Sequence, residues 1–541
     1  MRVQKERKSV WLLGVVALLS IYMFTLLDDS AIWLDDVQFL YNRLYQIADC
    51  FRHGYYPFLY YNDIGGIGYG SPIFYGQLTL FPFLPFAQNI ELFIKVYLLV
   101  CLLLSFFGFR FFLKRISEYA TLCSVFYIVG MPFIYLYSGS LPAALLGSAF
   151  SWFFFGYCID FFRDRTHFSG VLLSFFLVYQ SNLNSAILAL LACFCLFLVY
   201  FDRRRVHDYG RLFLCSLALM AYNIYNMLYH IDALNLGVVA DLFGPVSERS
   251  FSGRLLSVSP VGEYVVRAAL HDSLGVDMCC GFMSLCLFVL FVYYVGLGCK
   301  VQSRRYRVCL AVFGLILVLA YAVGLYMVWP SLYDLLGGVL FVQFPIRYII
   351  ILYGVAIAFL ARVIKYDSVI CWILIVCILD FVMANPMSWR GGVEGGELVD
   401  PIRNQLCNAE FAGSSFVNSL DVIHEYGSCV HSDLGISYQF SNEYNGLSVD
   451  CSGNTGGDVI TLPKLYYEGY RAIGDDGKVF DVSSGYSNYC QVSLGDYQGV
   501  LRLEYVVPVW LLCTFVMQIV TVFVLIFDSI WRRFGRYART A

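Results

Sequence analysis

Charge is scarce in this chain. Only 14% of its 541 residues are Asp, Glu, Lys or Arg, and histidine occurs 7 times. No nucleic-acid partner is expected from such a composition. The net charge of -3 says little more, because the charges are segregated along the chain. The phosphate-cradling pattern G-x-x-x-x-G-K-[ST] is absent, which argues against an ATP-driven pump within this chain. Internal repeats and low-complexity tracts are absent too. The long apolar runs hold almost no charge near their centres, and Asp160 and Asp380 fall near run ends. Ion-coupled transporters often carry mid-membrane ionisable groups and inverted repeats, so that class is disfavoured.

What is abundant is apolar length. Mean hydropathy is +0.68, and uncharged runs of 17 or more residues recur. Each is long enough to cross a hydrocarbon core of about 30 Å as a helix. The expected class is an all-α polytopic membrane protein. The first run, Ser9 to Leu27, follows basic Arg2–Lys8 and is not followed by a small-x-small cleavage site, so it reads as a retained helix rather than a signal peptide. Basic clusters at Arg2–Lys8, Lys114-Arg115, Arg163–Arg165, Arg203–Arg211, Lys300–Arg307, Arg362–Lys365 and Arg532–Arg539 mark one side. The spans fall at about 9–27, 92–113, 120–137, 141–162, 168–181, 185–201, 212–230, 281–299, 308–329, 346–363, 368–384 and 506–530. That makes about twelve transmembrane helices with both termini cytoplasmic. The pair over 168–201 is short enough to form a hairpin that does not fully cross.

Three outer segments are long: 28–91, 231–280 and 385–507. The last changes character. "GGDVITLPKLYYEGYRAIGDDGKVFDVSSGYSNYCQVSLGDYQGVLRLEYVVP" alternates apolar and polar residues between Gly, Asp and Ser turns, which is strand chemistry. The expected division is a helical domain over 1–390, with 28–91 as its functional outer loop. A small extracytoplasmic β-rich domain follows over 391–505, then a final helix and basic tail over 506–541. Of 19 cysteines, four lie in the outer domain: Cys407, Cys429, Cys451 and Cys490. An oxidising compartment permits two disulfides among them, with the pairing open. No C-x-x-C pair there supports zinc.

The stretch "DDSAIWLDDVQFLYNR" follows the first run. Asp28 and Asp29 read as its polar exit. Asp35 and Asp36 are embedded in apolar sequence, where adjacent carboxylates repel and are partly desolvated. Such strain points to function. In a helix, Asp36 and Arg43 share a face roughly 10 Å apart along the axis, at about 1.5 Å per residue. That spacing suits a base and a phosphate-binding cation gripping one reacting assembly. Asp49 and His53 follow. The segment "GYYPFLYYNDIGGIGYGSPIFYGQLTLFPF" is dense in Gly, Tyr and Pro, with one acid, Asp63. Its glycines permit tight turns and close backbone approach. Its tyrosines offer flat faces to sugars or lipid headgroups.

These stretches, with "VQFPIRY" at Val342–Tyr348 and the closing "LPKLYYEGYRAIGDDGKVFDV … LRLEYVVP", resemble GT-C-type bacterial membrane proteins. The resemblance is to the 6-pyruvoyl-tetrahydropterin-synthase-related family and the YfhO-like glycosyltransferases, and it spans the chain in order. The synthase in that label is a soluble zinc protein whose fold nothing here supplies. Asp36, Arg43, Gly54–Pro57 and Gly68–Phe74 fill the family's motif places. Phe58 stands where the family has Arg, and "YLYSGSLPAALLG" (Tyr135–Gly147) lacks the acid often seen after the third helix.

The resemblance implies a glycosyltransferase of the bacterial cytoplasmic membrane. It would move a sugar, with inversion, from a polyprenyl-phosphate donor to an extracytoplasmic saccharide, lipid or protein acceptor. Asp36 is the first choice for general base and Asp35 the second. Arg43 and Arg347 would meet the leaving phosphate, while His53, Asp63, Tyr69 and Gln343 would contact substrate. No metal ligand or resident cofactor is assigned, and dependence on a divalent metal is left open. The alternatives are a flippase for a lipid-linked saccharide and an inactive envelope scaffold.

Overall fold

The computed structural model describes residues 8–27, 35–61, 63, 68, 70, 72, 75–130, 133, 137, 142–230, 350–351, 353–354, 357–358 and 425–540. The expected spans at 281–299, 308–329 and 368–384, and most of 346–363, lie outside them, as do the outer segment 231–280 and Asp28-Asp29.

Where the described chain is apolar it is helical, because a helix satisfies every backbone polar group internally. The helices are α1 (Lys8–Leu27), α2 (Asp35–Arg52), α3 (Ile90–Leu113), α4 (Ala120–Val129), α5 (Pro142–Asp164), α6 (Phe168–Ser181), α7 (Leu183–Tyr200), α8 (Val206–Tyr229) and α9 (Val509–Thr540). Local chemistry sets their ends. The Asn89 side chain accepts from Leu92 N at 2.9 Å and starts α3. Pro142 opens α5, where its missing N–H costs nothing. Asn182 alone separates α6 from α7. Its extended backbone ends α6, and its side chain accepts from Ser185 N at 2.9 Å to start α7. At 14 residues, α6 rises roughly 21 Å, short of a full crossing. Among the described residues, four helical stretches are long and apolar enough to cross a membrane: Ile90–Leu113, Ala143–Asp164, Arg203–Tyr229 and Val509–Trp531.

Aromatic packing holds these helices together. Trp152 of α5 is fully buried and donates from Nε1 to the Tyr127 hydroxyl at 2.9 Å, with the Phe109 ring 4.7 Å away. At one end of the bundle, Arg115 forms a two-pronged ion pair with Asp160, at 2.9 and 2.5 Å. The charge at the end of the fourth expected span therefore ties α3 to α5.

The C-terminal part is antiparallel β. Its strands are β1 (His431–Ser432), β2 (Gln439–Glu443), β3 (Gly446–Asp450), β4 (Asp458–Leu465), β5 (Tyr470–Gly474), β6 (Val479–Phe480), β7 (Val482–Ser484), β8 (Tyr489–Gly495) and β9 (Val500–Tyr505). They form a four-stranded sheet, β1-β4-β8-β7, and a five-stranded sheet, β2-β3-β9-β5-β6. Strand alternation places Leu501, Leu503 and Tyr505 of β9 inward, with Val500 and Arg502 outward. Both sheets contribute to one core, including Leu447, Val449, Ile460, Leu462 and Val492. β9 runs through Val506, Val507 and Pro508 directly into α9.

The expected pair of disulfides is not formed. Cys429, Cys451 and Cys490 are free thiols, and Cys407 lies outside the described residues. Cys451, just after β3, and Cys490, in β8 of the other sheet, are both fully buried and act as small core hydrophobes. Spacing along the chain carried no information about that separation.

Asp458 is the polar anchor of the domain. Fully buried, it accepts from Ser432 Oγ at 2.6 Å, Tyr438 OH at 2.7 Å and Leu434 N at 3.2 Å. Burial pushes its pKa up, but these hydrogen bonds outweigh that and hold it below the ordinary carboxylate value. A carboxylate depressed on folding stabilises above its unfolded pKa and loses that stability as pH falls through the folded value. Thermal unfolding of the β domain should therefore weaken between about pH 5 and pH 3. Asp458→Asn should flatten that dependence and cost on the order of 1–3 kcal/mol at neutral pH. Calorimetry across that range checks both.

Candidate functional site

Helix α2 explains why so polar a sequence is packed on two sides. Val37, Leu40, Leu44, Ile47 and Ala48 recur at helical spacing and are buried against the core that includes Phe93 and Tyr97 of α3. The other face carries Asn42, Arg43, Gln46 and Asp49, and it too is covered. Its cover comes from the glycine- and tyrosine-rich segment that follows and from the β domain.

Asp35 and Asp36 form the first turn of α2. Their side chains lie outside what the structure describes. By helical geometry Asp36 shares a face with Arg43, roughly 10 Å away along the axis. Arg43 is 3% exposed. Its Nη2 donates to the Gly76 carbonyl at 2.7 Å, and its guanidinium sits 4.8 Å from the Tyr75 ring centroid and 5.8 Å from that of Phe39. Asp63 is also buried, and its two oxygens accept from Asn42 Nδ2 at 3.1 and 3.3 Å. The structure thus brings Asp63 of the following loop against Asn42, the neighbour of Arg43 on α2, two turns from the acidic pair. Tyr60 lies beside them. Burial raises the pKa of its hydroxyl, and the Arg43 charge pulls the other way. Gln77 completes the cluster, donating to the Pro57 carbonyl at 2.8 Å.

His53 stands at the edge of the cluster, with its side chain half exposed. It lies just past α2, with its ring stacked on Tyr444 at 3.9 Å and Nδ1 3.5 Å from Asp49 Oδ1. Tyr444, in the two-residue turn between β2 and β3, also donates to Asp49 Oδ2 at 3.0 Å. One face of the imidazole is therefore taken by the β domain. Tyr69, Gln343 and Arg347 lie outside the described residues.

The glycines act through close approach. Gly68 has φ +85°. Gly70 N donates to the Tyr467 hydroxyl at 2.8 Å, and a Cβ on Gly70 would stand 2.4 Å from the Tyr467 ring. Tyr467 belongs to the turn between β4 and β5. The same turn presents the Glu468 carbonyl to His230 Nε2, 3.1 Å away at the end of α8. Cys50, Phe58, Leu59, Tyr61 and Tyr222 share one core with the β domain. The β domain is therefore seated on the candidate loop. Tyr444 and Tyr467 carry no local signal in the sequence, because their partners lie 395 and 397 positions away.

Among the described residues no three His, Cys, Asp or Glu side chains are grouped to hold a metal ion. The arrangement offers an acidic helix start, a buried cation two turns on, and buried polar side chains beneath a β cover. No protein-family model, curated protein or solved structure matches the chain.

Proposed function

We propose that the chain is a GT-C-type membrane glycosyltransferase that takes a sugar from a polyprenyl-phosphate donor at the outer face of a bacterial cytoplasmic membrane, with about twelve spans and both termini inside. The observation that carries the reading is a buried arginine on a helix that opens with two carboxylates. Asp36, or failing that Asp35, removes the proton from the acceptor hydroxyl as general base. That oxygen attacks C1 of the donor sugar, the C1–O bond to the lipid phosphate breaks, and the phosphate leaves with its electron pair. Arg43 is held rigid by Gly76 and Tyr75, so its charge needs little reorganisation as negative charge develops on the phosphate. Arg347 is the second cation. Asp63, hydrogen-bonded by Asn42, orients the loop around the sugar, to which Tyr69, Gln343 and His53 add contacts. The acceptor is an envelope saccharide, lipid or protein.

Arg43→Lys tests this reading. Lysine keeps the charge but lacks the planar fork that holds Gly76 and covers Tyr75. Transfer of labelled sugar from a polyprenyl-phosphate donor should fall about tenfold or more, equivalent to roughly 1.4 kcal/mol of barrier. Transfer by Arg43→Lys at the wild-type rate would remove Arg43 from the chemistry.

A further inference from the structure

Four buried polar atoms around α2 lack a well-formed hydrogen bond: Arg43 Nε, Gln46 Oε1, Tyr60 OH, whose one polar neighbour is the Arg43 guanidinium, and Gln77 Oε1. Only eight such side-chain atoms occur among the described residues, so half of them gather here. Native proteins leave few buried polar groups unpaired, and each needs a reason. These residues are 3%, 6%, 0% and 5% exposed. Backbone links tie their positions together. Gln46 follows Arg43 by one turn of α2. Arg43 holds the carbonyl of Gly76, whose neighbour is Gln77. Gln77 in turn holds the carbonyl of Pro57, three residues before Tyr60. The Arg43 charge acts on the Tyr60 hydroxyl.

The chemistry of the four atoms is mixed. Arg43 Nε only donates. Gln77 Nε2 is committed to Pro57, so Gln77 Oε1 is left as a buried acceptor. Gln46 Oε1 is a second acceptor, and Tyr60 OH can do either. A bare phosphate offers only acceptors and would oppose both amide oxygens. An acyl chain satisfies none of the four. A ring bearing several hydroxyls both donates and accepts, and matches the set. We propose that Gln46, Gln77 and Tyr60, with Arg43 at the phosphate junction, form the subsite that reads the hydroxyls of the donor sugar. This rests on the glycosyltransferase reading and assigns its sugar-specificity residues.

The test uses the full chain in lipid nanodiscs, with farnesyl phosphate carrying glucose, galactose, mannose or N-acetylglucosamine as probes and bare farnesyl phosphate as the reference. Wild type should bind at least one sugar-bearing probe tenfold or more tighter than the reference. Gln46→Leu and Tyr60→Phe should each bring that ratio close to one while leaving binding of bare farnesyl phosphate intact. Gln46→Leu removes no hydrogen bond made in the unliganded protein, so its unliganded melting should hold or rise; Tyr60→Phe also gives up the contact of the hydroxyl with Arg43, so it is read by the ratio alone. An unchanged ratio in both variants overturns the subsite and identifies an ordered water as what meets these atoms, and a wild type that prefers no sugar overturns it as well. Sugar transfer measured in parallel separates the two claims. Transfer with unchanged ratios keeps the enzyme and removes the subsite; a Gln46-dependent preference without transfer does the reverse.

Discussion

Asp36→Asn is expected to lower sugar transfer by about 10²- to 10⁴-fold, the usual contribution of a positioned general base, while the protein accumulates normally. The substitution keeps side-chain volume and a hydrogen-bonding oxygen but cannot accept the acceptor's proton. Its structural cost is small. A carboxylate in the first turn of a helix gains about 0.3–1 kcal/mol from the helix dipole, and losing that does not unfold a helix whose other faces are buried. Asp35→Asn should have a smaller effect. Asp35 precedes Asp36 by one residue, so about 100° of helix rotation turns it away from the Arg43 direction. Measuring both variants in the same membranes, against protein level, separates the two acids. Equal losses would assign the base to the pair rather than to Asp36.

Gly70→Ala is expected to separate the β domain from the loop. Its Cβ would lie 2.4 Å from one Tyr467 ring carbon and 2.8 Å from another, so the ring or the loop must move. Overpacking of this kind costs about 1–3 kcal/mol. The shift also breaks the bond from Gly70 N to the Tyr467 hydroxyl. Faster hydrogen exchange at residues 58–61 and 467–470, together with reduced transfer, is the expected outcome. Tyr467→Ala should itself weaken docking, but Gly70→Ala should then add little, because its clash partner is gone. Full additivity of the two would mean that they do not act through this contact.

Among the described residues the helices were legible where an uncharged run was long, because the backbone has no other way to satisfy itself in such a run, although the expected span 120–137 is continuous helix only over Ala120–Val129. The ends of α3 and α6 fall within two residues of the expected spans for that reason. The β domain was legible through alternation, which β9 keeps. The two-sided role of α2 was only half visible. The Asp36–Arg43 spacing suggested a shared face, and the same helical period places Gln46 beside Arg43, yet Gln46 gave no chemical cue of its own. The cover was invisible: Tyr444 and Tyr467 reach Asp49 and Gly70 across most of the chain. Nothing local in a tyrosine-rich turn says which loop it will meet. The tyrosines expected to present faces to sugars instead pack in part against that cover, as Tyr61 does with Tyr444 at 5.6 Å.

The most direct measurement follows the leaving group. The purified full chain, reconstituted in liposomes with a polyprenyl-phosphate sugar labelled in both lipid and sugar, should release one polyprenyl phosphate for each glycoside formed. Asp36→Asn should release neither. If the folded wild-type protein forms no glycoside from any polyprenyl-phosphate sugar, or if release is the same in Asp36→Asn, the proposed chemistry is wrong.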